Sequence, residues 1–178
     1  AAADLKLVTG GSGVALGLPA NFGCVPGTPD WHAQSGPTLI VSGSCSIATR
    51  GQVAYHSARY PAREFIAEDI IEGRATAQDA LDWALAAGER PRIYTSADPD
   101  RVKDVQEQFG RERSAAAVEA FFASLARLAA SRGVTTIISA GGETSGAVVE
   151  ALDLESLEIG PEIDPGVPAL RAKSALVL

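Results

Sequence analysis

The residues best placed to do chemistry are Gly141, Gly142, Glu143, Thr144, Ser145 and Gly146, which follow the apolar run at 134–138. Glycines let a backbone approach an anion closely, and the N–H groups that open a following helix point at it. Thr144 and Ser145 add hydroxyl donors, and the Glu143 carboxylate suits a metal-bound water or a ribose hydroxyl. A tight strand-to-helix turn capped by Thr144 accounts for the same residues. The segment by itself therefore specifies an anion or phosphate rather than ATP. Two other turns share the pattern. Gly10, Gly11, Ser12 and Gly13 follow the apolar residues 5–9, and Gly43, Ser44, Cys45 and Ser46 follow the run 38–42 that ends in Ser42. If these strands are parallel, their carboxyl ends share one sheet edge, where open α/β sheets collect ligands, and the three turns surround one nucleotide.

The elements that must position these turns alternate between apolar runs and helical patterns. That alternation predicts an α/β fold of three layers, a largely parallel sheet with helices on both faces. Further strands are expected at 63–66 and 92–95. Helices are expected from 47 to a stop before Pro61, and from a Thr76 cap with Asp79 at capping-box spacing. Others start at Pro99 and run to Gly110, carry the stripe Val118, Phe121, Phe122, Leu125 and Leu128 to Gly133, and pass through Val148 and Leu152. The segment 17–37 reads as a Pro/Gly-rich loop, and the tail from 157 as short extended pieces broken by Pro161, Pro165 and Pro168. With no internal repeat and no linker composition, residues 1–178 read as a single domain.

Composition excludes several classes. The 46% hydrophobic and 21% charged content is that of a globular protein. A net charge of -7 argues against nonspecific nucleic-acid binding, which needs clustered cations. No apolar run reaches the ~20 residues of a membrane span. Two cysteines and two histidines provide neither a disulfide framework nor a multi-histidine metal site, and fit a cytoplasmic protein. Gly11, Ser12, Gly13 and Gly17 resemble a dinucleotide fingerprint with one extra residue, the mark of a nicotinamide-dependent oxidoreductase. The required helix, however, is replaced by Leu18, Pro19 and further prolines. No Gly-Lys-Ser or Gly-Lys-Thr follows a glycine run, and Ser44 and Cys45 lack both nucleophile-elbow spacing and a histidine partner.

In combination, residues 7–13, 41–46 with 49–52, and 141–146 resemble the four-carbon acid sugar kinases, a family that includes 3-oxo-tetronate kinases. Residues 159–167 look like a late motif of that family. The resemblance covers nearly the whole chain. It implies the C-terminal nucleotide-binding domain of a two-domain carbohydrate kinase that moves the γ-phosphate of ATP to a four-carbon sugar acid. The sugar acid is then bound mainly by an N-terminal domain missing here, which also holds the catalytic base, so the isolated chain is expected to be inactive. The resemblance further implies that Ser44, with Ser42 close by, and Gly141 to Thr144 contact ATP. The turn containing Gly11 and Ser12 and the segment from Gly160 would line the same cleft, with Ser145 and Gly146 completing the phosphate loop. Mg2+ would bridge the phosphates, with Glu143, Glu162 and Asp164 as candidate contacts. After Lys173 and Ser174 the chain departs from the family, placing Ala175 where a nucleotide-contacting glycine is expected, which predicts weakened nucleotide affinity. A noncatalytic nucleotide-binding module is the alternative from the same loops, and self-association stays open.

Overall fold

The computed structural model describes residues 6–9, 12–25, 27, 30–32, 34–95 and 98–174. They pack as two compact units, one built on residues 34–154 and one on residues 1–33 and 155–173. In chain order the elements are a 3-10 helix (Ser12–Gly17), α1 (Leu18–Asn21), β1 (Thr38–Ser42), α2 (Ile47–Ser57), β2 (Ala62–Phe65), α3 (Ala67–Ile71) and α4 (Ala77–Ala86). They continue with β3 (Arg92–Thr95), α5 (Pro99–Phe109), α6 (Arg111–Ser131), β4 (Thr136–Ala140), α7 (Gly142–Ala151), β5 (Leu154–Asp164) and β6 (Val167–Ser174).

The larger unit is a parallel sheet in the order β2-β3-β1-β4, with Ile40 level with Arg92 on one side and Ile138 on the other. The step from β1 to β2 crosses the sheet in one direction, and the steps from β2 to β3 and from β3 to β4 cross it in the other. Because parallel crossovers are right-handed, α2 lies on one face and α3 to α6 on the opposite face. α7 joins the second group by packing on α6 and β4. The core on that face joins Leu39, Val41 and Ile93 to Leu81, Phe122, Leu125 and Val148. Alternate strand residues point the other way, so Ile40 is buried on the α2 side, outside that core. There Arg92 is also buried, with Nε and Nη1 unpartnered among the described residues. Burial first, and then the Arg92 charge, hold His56 below its ordinary value of 6.5, so it is neutral at physiological pH.

The expected capping box is present. The Asp79 N–H donates to Thr76 Oγ1 at 3.1 Å, and Asp79 Oδ2 accepts from the Thr76 hydroxyl at 2.6 Å and the Thr76 N–H at 3.1 Å. The hydroxyl, then the N–H, hold the Asp79 carboxyl below its ordinary 3.8. A depressed carboxyl contributes stability above its unfolded pKa and loses it as pH falls through the folded one. Thr76→Ala is therefore expected to destabilise α4 at neutral pH, with the difference from the parent shrinking as pH falls below the ordinary Asp79 value of 3.8. Urea unfolding across that range checks it; a difference independent of pH would remove Asp79 from the cap.

The structure departs from the sequence reading in several places. Residues 7–9 form no strand, and Leu7 is exposed; a short apolar run becomes a strand only where a neighbour pairs its backbone and a layer covers it. The tail, expected as broken pieces, is the two-stranded sheet of β5 and β6 turning at Pro165 and Gly166, where Gly166 has φ 77°. In a two-stranded sheet both strands are edges, so prolines turn their missing donor outwards. Third, the loop expected at 17–37 contains the short α1, and α3 was unmarked by any strong periodic pattern.

Candidate nucleotide site

β1 hands the chain to α2 on one face, while its neighbour β4 hands it to α7 on the other. Adjacent carboxyl ends that diverge in this way open a crevice at the sheet edge, the usual ligand position in open α/β sheets. Ser42 pairs in register with Ala140, so the turns that follow the two strands stand level at this crevice. The helix begins earlier than the sequence suggests: Gly141, at φ 114°, is the N-cap, and most of the glycine segment is the first turn of α7. Thr144 is not its cap, since no side chain caps this end. The first helical bond runs from the Ser145 N–H to the Gly141 carbonyl at 2.9 Å. The N–H groups of Gly142, Glu143 and Thr144 therefore lack intrahelical acceptors and stand as anion donors. α2 differs, because Ser46 Oγ already accepts from the Thr49 N–H at 3.1 Å and Ser44 Oγ from the Ser46 N–H at 3.3 Å.

Two glycines make this approach possible. A Cβ on Gly43 would collide with Thr144 Oγ1 and stand 3.1 Å from the Phe122 ring. One on Gly141 would lie 3.0 Å from Ser44 Cβ. Gly142 and Gly146 instead face open space, with nothing within 4 Å of an added Cβ.

The structure thus brings together Ser44, Gly141, Gly142, Glu143 and Thr144, but gives them different parts. Thr144 is buried against the β1 turn, whereas Glu143 is exposed. Ser145 is turned to Ser139, the two hydroxyls 2.8 Å apart. Ser42 is 1% exposed, with an Oγ unpartnered among the described residues, so it lies behind the crevice wall. Gly11 lies outside the described residues. Ser12 opens the 3-10 helix of the other unit and belongs to no βαβ nucleotide-binding unit among the described residues. Gly160 is in the smaller unit as well; its missing side chain admits the Trp31 ring, which gives this glycine a packing role. Glu162, in the same unit, accepts from the Gly166 N–H at 2.7 Å and so closes the hairpin turn.

The sequence reading missed a pocket of about 300 Å3 that opens beside the start of α7. Its lining includes Gly43, Thr95, Glu143 and Thr144, Val102 and Val105 of α5, Val118 and Phe122 of α6, and the charged Glu68, Arg101, Arg111 and Glu119. In sequence these apolar positions are indistinguishable from core stripe, so no signal marked them as a wall. A cleft of about 610 Å3 lies at the opposite edge, against Pro37, Leu81, Pro91 and Val134. It touches none of the candidate residues and sits at the amino ends of the strands, where such sheets do not bind ligands.

Comparison with known proteins shows the family. The chain is 45% identical to a 3-oxo-tetronate kinase of Pseudomonas savastanoi pv. phaseolicola over 98% of its length and 42% of the relative's. It is also 45% identical to a 3-oxo-tetronate kinase of Cupriavidus necator, over 95% of its length and 41% of the relative's. The chain therefore spans about two fifths of the curated relatives it matches. A crystal structure of a Haemophilus influenzae protein of the DUF1537 family superposes with a TM-score of 0.80 at 38% identity, covering 96% of this chain and 42% of that one. Among the described residues no helix is long and apolar enough to cross a membrane. The profile of nucleotide-binding C-terminal domains matches residues 39–178, across both compact units, and the chain belongs to that family.

Proposed function

We propose that this chain is the ATP-binding domain of a cytoplasmic sugar-acid kinase, which transfers the γ-phosphate of ATP to a hydroxyl of a four-carbon acid sugar such as a 3-oxo-tetronate. The observation that carries the reading is the uncapped start of α7, set level with the Ser44 turn at the point where the sheet's connections diverge. Phosphoryl transfer asks a protein mainly to position the phosphates and to neutralise the charge on the transferred group. The N–H groups of Gly142, Glu143 and Thr144 do the first, with the Ser44 hydroxyl as a further donor. Magnesium suits the same place, since it binds through one or two carboxylates plus substrate phosphates. Glu143 is the exposed carboxylate available there, and the ion would supply charge neutralisation. Among the described residues no group of three or more His, Cys, Asp or Glu side chains is placed to hold a metal ion. The names of the 3-oxo-tetronate kinase relatives support the acceptor, which an N-terminal domain would bind.

Calorimetric titration with Mg-ATP tests the reading. One saturable site for ATP and none for NAD is the expected result. Saturable NAD binding without ATP binding would return the protein to the oxidoreductase class. Joining the N-terminal domain of a relative should then restore transfer to the sugar acid, and persistent binding without transfer would make the chain a noncatalytic module.

A further inference from the structure

We infer that α2 is an acid-operated latch: a proton taken up by His56, beside the buried Arg92 cation, releases the helix from the sheet and loosens the turn of Ser44 to Ser46 that leads into it. The inference concerns the helix and does not depend on which ligand the crevice takes. The seat of α2 is shallow. Thr49 and Val53 are its buried residues, and His56 continues the same stripe at i, i+4 and i+7. Ile47 and Tyr55 are exposed. A helix held by so little apolar area has little to set against a charge placed beneath it.

What lies beneath is already cationic. Arg92 is buried with Nε and Nη1 unpartnered among the described residues, and both ring nitrogens of His56 are shielded and unpartnered in the same way. No ion pair among the described residues includes either side chain. The Tyr60 ring stands 5.2 Å from the His56 ring, and its hydroxyl accepts from Arg90 Nη1 at 2.8 Å. Arg59 is turned back onto the Tyr55 carbonyl and ring. On the sheet, Arg92 and Tyr94 of β3 share the α2 face with Ile40 and Ser42 of β1 and with Ile138 and Ala140 of β4. β2 adds Glu64, which is level with Tyr94 rather than Arg92 and meets Arg101 at 3.6 Å; Arg63 lies against the Phe65 ring on the other face. A protonated His56 therefore meets Arg92 and no carboxylate. The Arg90 carbonyl, which forms no hydrogen bond with the ring, and the carboxyl end of α2 favour the proton. Burial first, and the Arg92 charge second, outweigh them. Because the released ring binds its proton more readily than the seated one, α2 is held at full strength above the ordinary histidine value of 6.5 and less firmly as pH falls below it. Over that range its opening equilibrium rises by up to about tenfold per pH unit.

Amide hydrogen exchange, corrected for intrinsic rates, tests the latch at about pH 7.5 and about pH 5.5 on the parent chain, His56→Gln and Arg92→Met. In the parent, opening of residues 43–57 is expected to rise about fivefold or more at the lower pH, while α4 and α6 keep their protection. His56→Gln should abolish the rise. Arg92→Met, which leaves the ring with no cation beside it, should reduce it. Equal opening of the parent at both pH values overturns the latch, and so does a rise shared equally by α4 and α6. A rise that persists in folded His56→Gln, or is undiminished in folded Arg92→Met, overturns it as well. Circular dichroism establishes which variants are folded, and the parent alone decides the matter if neither is.

Discussion

Gly142→Phe is expected to weaken Mg-ATP binding by about 100-fold or more while leaving the thermal midpoint within a few degrees of the parent. The position carries nothing within 4 Å of an added Cβ and lies inside a helix without positive φ, so the side chain leaves the backbone into open space and strains no backbone. Replacing a helical glycine even recovers about 0.5–1 kcal/mol of backbone entropy. The added ring would cover the orphan N–H groups of α7 that are assigned to the phosphates. Hydrogen bonds to charged groups contribute about 1.5–3 kcal/mol each, and losing two of them already reaches a 100-fold effect. Calorimetry and thermal unfolding of the same sample separate the two effects. Unchanged affinity in a folded variant would reduce the glycine segment to a structural turn.

Phe122→Ala is expected to have the largest effect on stability, a loss of about 3–5 kcal/mol. Phe122 is fully buried, stands edge-on to Phe121 with centroids 5.4 Å apart, and belongs to the cluster that joins β1 to α6 and α7. Its removal leaves a cavity that the parallel sheet cannot close by local collapse. For a chain of this length the midpoint should fall by roughly 6–20 °C. The same ring lines the pocket and packs beside Gly43, so ATP affinity should fall together with stability. Urea unfolding gives the stability change, and a loss below about 1 kcal/mol would mean that the α6 core is far looser than described.

These two positions show how unevenly the site can be read from sequence. Gly142 was marked by its neighbours: an apolar run, two glycines and two hydroxyls constrain a short stretch of backbone through local sterics and hydrogen bonding. Phe122 was marked only as core, because its second role depends on the helix that lies opposite. α5 and α6 meet across the Gly110 junction, and the pocket between them is a property of both stripes rather than of either. The strand expected before the early glycine turn is absent at residues 7–9 for the converse reason. Residues 5–9 have strand-like composition, but composition cannot supply the pairing neighbour that a strand requires.

By itself the sequence determined the parallel α/β class, the capped start of α4, the stops at Gly88, Gly110 and Gly133, and the tight strand-to-helix passage at residues 141–146. Each of these follows from forces that act within a few residues: side-chain periodicity, capping hydrogen bonds and glycine's steric freedom. Only the tertiary structure decided that β4 lies beside β1, that α2 and α7 leave this pair on opposite faces, and that Ser44 and Gly141 come into contact while Ser42 is shut behind them. Strand order arises from long-range burial, and right-handed crossovers then fix the faces. A crevice between two strands nearly a hundred residues apart in the chain has no local signature.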